Sequence, residues 1–249
     1  LAAACKAPVV TLIISDVPGD DPTHIASGPC APDPTTYQDA VDVLNRFDVK
    51  PPRAVLEHLI CGLRGEREET PKPGSNVFDR VENRVIATAR NSLEAAAALF
   101  RENGIQPVIL GDSITGEAKE VAKVMAALTR EIRTHGLPFK PPVVLLSGGE
   151  CTVTVRSTSG RGGRCGEFLL ALGLELAGTA DVHAIAADTD GIDGSENNAG
   201  AVLAPDSLAR ATAQGLDARK FLAANDSYGV FSALGDLVVT GPTRTNVND

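Results

Sequence analysis

Tryptophan is absent from the 249 residues, and aromatic faces are scarce, with two Tyr and seven Phe. That scarcity argues against the stacking platforms that hold single-stranded nucleic acids. A net charge of −9 argues against an extended footprint on a phosphate backbone. We expect no nucleic-acid partner. No apolar run reaches the roughly 18 to 20 residues that span a bilayer, so no membrane partner is expected either. The five cysteines (Cys5, Cys30, Cys61, Cys151, Cys165) are odd in number and show no C-x-x-C spacing. This favours reduced thiols in a cytoplasm over a disulfide framework or a zinc site. No secretory signal is visible, and the strand-like run Pro8–Ile14 starts so soon after Leu1 that the chain reads as entering the middle of a domain.

Several chemical signatures are missing as well. The dinucleotide fingerprint G-x-G-x-x-G does not occur, since Cys165 stands where Gly160-Arg161-Gly162-Gly163-Arg164 would need its last glycine. G-x-S-x-G and a Cys with a neighbouring His are lacking, which leaves hydrolase triads and cysteine nucleophiles without support. His24, His58, His135 and His183 are scattered without metal spacing. The run Gly111-Asp112-Ser113-Ile114-Thr115-Gly116-Glu117 copies the phosphate-loop spacing but carries Glu117 in place of its lysine, so it is expected to be a strand-to-helix turn.

What is present is ordinary soluble composition, 43% hydrophobic and 22% charged, with 24 Gly for tight turns. Helical spacing over Thr35–Phe47, after Pro51-Pro52, over Asn91–Glu102 and over Gly116–Thr134 alternates with strand-like runs at Val85–Ala89 and Pro107–Leu110. This is βαβ grammar and predicts a parallel sheet. His135–Pro142, rich in proline, is the best boundary, dividing residues 1–138 from 139–249. Beyond it we expect strands at Val143–Leu146 and Thr152–Val155, a helix at Arg164–Ala177, a strand at Val182–Ala187, helices at Asp206–Gln214 and Ala218–Leu234, and a strand at Asp236–Thr240. The fold class is α/β: the remainder of a Rossmann-like parallel-sheet domain, then a smaller α/β domain with a mixed sheet.

Three segments at element ends carry groups suited to a phosphorylated, magnesium-bound ligand. Ser147-Gly148-Gly149-Glu150 joins two strand-like runs, either as a tight turn or as a close backbone approach with Glu150 reaching into a cleft. Gly160 to Arg164 precedes a helix, so Gly162 and Gly163 can offer amides to an anion with Arg164 as a bidentate clamp, or form a plain loop. Asp188, Asp190 and Asp193 follow a strand with Gly191 and Gly194 between and after them. Magnesium coordination, general-base work and an Asx-rich turn all fit, whereas an EF-hand is excluded by the missing closing Glu. Asp16, Asp20 and Asp21 form a second acidic cluster.

Taken together, Ile14–Asp20, Ile25–Pro29, Asn83–Ala87, Leu146–Thr152, Gly162–Glu167, Ala187–Gly194 and Asp236–Asn246 resemble the glycerate 2-kinase family of the MOFRL type, whose members often carry the name hydroxypyruvate reductase. The resemblance covers essentially the whole chain. It implies ATP-dependent phosphorylation of D-glycerate at its 2-hydroxyl with Mg2+. It further implies Arg164 on a substrate carboxylate or phosphate, and Asp190 and Asp193 on magnesium or the attacking hydroxyl. Ser147, Gly148, Gly149, Glu150, Gly162, Gly163, Glu167 and Asp188 would bind substrate and nucleotide, and Asp16 and Asp20, with Asp190, the metal. The cleft would lie between two lobes of a monomer or homodimer. Members of that family have a longer N-terminal region with a glycine-rich loop and a lysine, and Asn and Gln where this chain has Cys165 and Gly166. The chain is therefore expected to be part of a longer protein, with a reductase using NAD(P)H and a non-catalytic binding fragment as the alternative readings.

Overall fold

The computed structural model describes residues 5–157, 159–177 and 179–249, and these form two compact units. The first comprises residues up to Ile13 together with Gly19–Ile86. Its strands β1 (Val9–Ile14) and β2 (Val81–Ala87) run side by side in parallel, tied at one end by the Val9 amide on the Arg80 carbonyl. Helix α1 (Tyr37–Arg46) starts where Thr36 and Asp39 satisfy one another's backbone amides in a capping box, as the Thr-x-x-Asp spacing allows. Helix α2 (Arg53–Leu63) begins straight after the Pro51-Pro52 pair, which presets its first turn.

The second unit comprises Ile14–Pro18 and Ala87–Asp249. Here α3 (Ala89–Glu102), capped by Thr88, leads into β3 (Gln106–Glu117), then α4 (Ala118–His135), which stops at left-handed Gly136, and β4 (Val143–Thr152). β3 and β4 pair in parallel from Gln106 opposite Val143 to Glu117 opposite Thr152, with register shifts on either side of Gly111. The connection that holds the expected 138/139 division thus joins two paired strands. α5 (Arg164–Leu176) is the central helix. Its Leu169, Leu170, Leu172 and Leu176 pack with Ala122 and Ala126 of α4, which are spaced four apart so that they share one helix face.

The remaining strands, β5 (Ala184–Ala187), β6 (Gly200–Leu203) and β7 (Leu237–Val238), form an antiparallel sheet, and α6 (Ser207–Ala213), α7 (Ala218–Ala223) and α8 (Ser227–Leu234) complete the core through Ala211, Val230 and Phe231. Parallel pairs and an antiparallel sheet with helices confirm the α/β class.

Three local expectations are corrected. Ser147–Glu150 is not a turn between two strands but the interior of β4, because the parallel partner β3 continues alongside it. The phosphate-loop look-alike after Leu110 is likewise the second half of β3. The helix expected from Ala218 to Leu234 is two helices, since Asn225 adopts φ +54° and the Asp226 carboxylate accepts from the Gly229 amide to start α8. Among the described residues no helix is long and apolar enough to cross a membrane.

Candidate active site

The segment after β5 is shaped by its own aspartates. Asp188 Oδ1 accepts from the Asp190 amide (3.1 Å) and Asp190 Oδ1 from the Ile192 amide (2.7 Å), two successive Asx turns of the kind short carboxylates favour. The chain then reaches Asp193, which is 1% exposed. Its two carboxylate oxygens accept from the amides of Cys165 (3.0 Å) and Gly166 (2.8 Å) in the first turn of α5. The anion at this helix N-terminus is therefore the protein's own, where the partial positive charge of the helix favours it. Burial pushes the Asp193 carboxyl up and the two amides pull it back. Gly163 permits the approach, because a Cβ there would lie 2.2 Å from Asp193 Oδ1.

Arg164 opens α5 and gathers three carboxylates. Its Nη2 donates to Asp188 Oδ2 (2.9 Å), its Nε donates to Asp249 Oδ2, and Nη1 faces Glu150 Oε1 at 3.6 Å. Burial disfavours the charged guanidinium, yet the hydrogen bond and charge of Asp249, with those of Asp188 and Glu150, outweigh it and hold the group protonated. Asp249 reaches this position through its backbone, which exchanges hydrogen bonds with Gly149 in both directions (3.2 and 3.0 Å). Gly149, at φ +153°, is required there: a Cβ would lie 2.0 Å from the Ile114 carbonyl oxygen. Burial, followed by the neighbouring Asp249 carboxylate, pushes Asp188 up to about 6 although it also accepts from Asp190. Burial raises Asp249 too, and among the described residues its Oδ1 has no hydrogen-bond partner.

Next to this network lies a cleft of about 470 Å³ within the second unit, a size suited to a small metabolite. Asp16, Asp190, Ile192, Arg244, Thr245 and Asn246 line it. Its far wall is pinned to the aspartate loop by the Thr243 amide on the Asp190 carbonyl (3.0 Å) and the Val247 amide on Thr189 Oγ1 (2.9 Å). Two aspartates and one arginine line one space.

Residues 143–249 match the MOFRL family and residues 1–60 a domain of unknown function (DUF4147). An Agrobacterium vitis protein named "Putative hydroxypyruvate reductase" is 52% identical over 248 residues, 99% of this chain and 55% of that protein. A "Glycerate 2-kinase" of Pyrococcus horikoshii is 39% identical over all of this chain and 56% of its own length. The crystal structure of a glycerate kinase from Thermotoga maritima superposes with a TM-score of 0.82 at 34% identity, covering 98% of this chain and 56% of that one. The chain belongs to the MOFRL-type glycerate 2-kinase family. It spans little more than half the length of these relatives.

In this chain the expected site residues are divided among several places. Arg164, Glu150 and Asp188 meet in the carboxylate network, and Gly148 and Gly149 bring the Asp249 backbone to it. Asp16 and Asp190 share the cleft. Asp193, Gly162 and Gly163 build the start of α5, Gly162 approaching Ser227 closely enough that a Cβ would lie 2.5 Å from its hydroxyl. Glu167 stands apart: buried, and raised by that burial, it accepts from Asn225 Nδ2 (2.8 Å), whose Oδ1 takes the Arg156 amide (2.7 Å). Ser147 is exposed on β4, and Asp20 belongs to the first unit. The sequence reading overlooked Asp249 and Arg244 as site residues. Arg244 had one visible signal, being the sole basic residue after Lys220.

Proposed function

We propose that the protein containing this chain transfers the terminal phosphoryl group of ATP to the 2-hydroxyl of D-glycerate, with Mg2+, giving 2-phosphoglycerate and ADP. The observation that carries the reading is the pairing of Asp16 with Asp190 in one cleft beside the Arg164 network, in a chain of this family. Phosphoryl transfer asks a protein mainly for positioning and charge neutralisation. The bond from the hydroxyl oxygen to the terminal phosphorus forms as the bond to the ADP oxygen breaks, and the hydroxyl proton is released to solvent.

Magnesium is held through one or two protein carboxylates together with substrate phosphates and water. Among the described residues no group of three or more metal-ligating side chains exists. Asp16 and Asp190 are a sufficient pair: Asp190 keeps Oδ2 outside its Asx turn, and neither residue is in an ion pair among the described residues. Bound there, the cation would offset negative charge on the phosphates. Arg164, faced by three carboxylates, orients the site more than it clamps an anion alone, and Asp193 fixes the helix that carries it. The free cysteines support the cytoplasm as the compartment.

The full-length protein, incubated with D-glycerate, ATP and magnesium, is expected to form ADP and 2-phosphoglycerate, detected with an enolase-coupled assay. The name of the Agrobacterium vitis relative favours a second reading, reduction of hydroxypyruvate. Oxidation of NADH by hydroxypyruvate without any ADP formation from glycerate would establish that reading and end the first. Within the kinase reading, Asp16→Asn and Asp190→Asn are each expected to raise the magnesium concentration for half-maximal rate by at least about tenfold, since even outer-sphere changes cost metal sites roughly 10–100-fold. An unchanged magnesium dependence in both variants removes the pair from the metal site.

A further inference from the structure

Of the arginines near the site, Arg161 in the loop before α5 and Arg164 at the start of α5 are already engaged. Arg161 stacks over the Tyr228 ring at 4.8 Å, and Arg164 is surrounded by Asp188, Asp249 and Glu150. Arg244 lines the cleft and, among the described residues, makes neither an ion pair nor a side-chain hydrogen bond. Its backbone sits at φ +62°, a left-handed conformation that bulky side chains rarely adopt and that persists where surrounding structure imposes it. That structure is visible on both sides. The Thr243 amide is tied to the Asp190 carbonyl (3.0 Å), Thr243 Oγ1 receives the Thr245 amide (3.4 Å), and Asn246 Oδ1 receives the Asn248 amide (3.1 Å).

The charge balance of the cleft gives this placement a use. Before a cation binds, Asp16 and Asp190 leave the walls negative, and a divalent cation held by them would only cancel their two charges, while the Arg164 network, one cation among three carboxylates, adds no free positive charge. Arg244 supplies the guanidinium whose donors remain available, in the forked geometry that matches two oxygens of a carboxylate or phosphate. We infer that Arg244 is a recognition residue for an oxyanion of the ligand in this cleft. With the ligands taken from the kinase reading above, that oxyanion is the carboxylate of glycerate or a phosphate of the nucleotide.

The test is calorimetric titration of the full-length protein with D-glycerate and, separately, with ADP, using wild type, Arg244→Gln and Arg244→Gly. The glycine variant also removes the left-handed strain, so it keeps a folded comparison available should the glutamine variant fail to fold. Loss of a charge-assisted contact is expected to weaken one probe by at least about tenfold. Weakening of glycerate identifies the carboxylate as the partner, and weakening of ADP identifies the phosphate. Unchanged affinity for both probes in folded Arg244→Gly overturns the assignment, as does a wild-type protein that binds neither. Arg244-dependent binding in a protein that forms no ADP from ATP and glycerate refutes the kinase reading while the oxyanion subsite stands.

Discussion

Arg164→Ala is expected to lower kcat/KM of the full-length protein for glycerate by at least roughly a hundredfold, the scale on which misplacement of the groups that Arg164 orients costs rate. The structure adds a second consequence. Asp188 and Asp249 are left without the cation that binds them, and removing one partner of a buried ion pair costs about 3–5 kcal/mol. Because the Arg164 side chain is 31% exposed, we expect the lower value of roughly 2–3 kcal/mol. The deficit carries a sign in pH. Asp188 is raised to about 6, above its unfolded value, so its contribution to stability is full below the unfolded value and is lost as pH rises through the folded one. Asp249, also raised by burial, loses in the variant the Arg164 hydrogen bond and charge that hold it down. The melting-temperature difference between wild type and variant is therefore expected to shrink as pH falls from about 8 to about 5. A deficit that does not vary with pH would mean the two carboxylates are not what Arg164 neutralises. Arg164→Lys, which keeps the charge but not the fork, should recover part of the stability and less of the rate.

Where local pattern and tertiary structure agree, the elements were legible in the sequence. α4 and α5 follow from helical spacing, and the βαβ order from Ala89 to Thr152 from alternating helical and strand-like runs. The failures have a common cause. Gly148 and Gly149 read as a turn because glycine is the usual turn residue, but here the missing side chains admit a neighbouring backbone: Ile114 on β3 and Asp249 from the far end of the chain. Gly163 reads as part of an anion cradle, yet the anion is Asp193, thirty residues on. β6 was missed because Gly200-Ala201-Val202-Leu203 is too short to show alternation, and Gly200 is there for close approach, a Cβ lying 1.9 Å from the Ala186 oxygen. The aspartate loop and Arg164 could be singled out by residue type. Their division into a carboxylate network, a helix cap and a cleft depends on long-range pairings that spacing does not encode.

Asp193 is where that division has its largest effect on stability. Its replacement by alanine leaves the amides of Cys165 and Gly166 without acceptors in a buried setting. Each stranded buried donor costs about 1–3 kcal/mol, so Asp193→Ala, which strands two, is expected to destabilise the protein by roughly 2–6 kcal/mol in urea unfolding. Asp193→Asn keeps one carbonyl acceptor and should cost about 1–2 kcal/mol. Since Arg164 is the first residue of the helix that Asp193 anchors, both variants should disturb the site through the position of Arg164. Activity is then expected to fall in step with stability, with Asp193→Asn retaining most of its rate at temperatures where it is folded. The contrary outcome, an asparagine variant as stable as wild type that has lost more than about a hundredfold in kcat, would show that the carboxylate acts on the substrate or its metal and not on the helix.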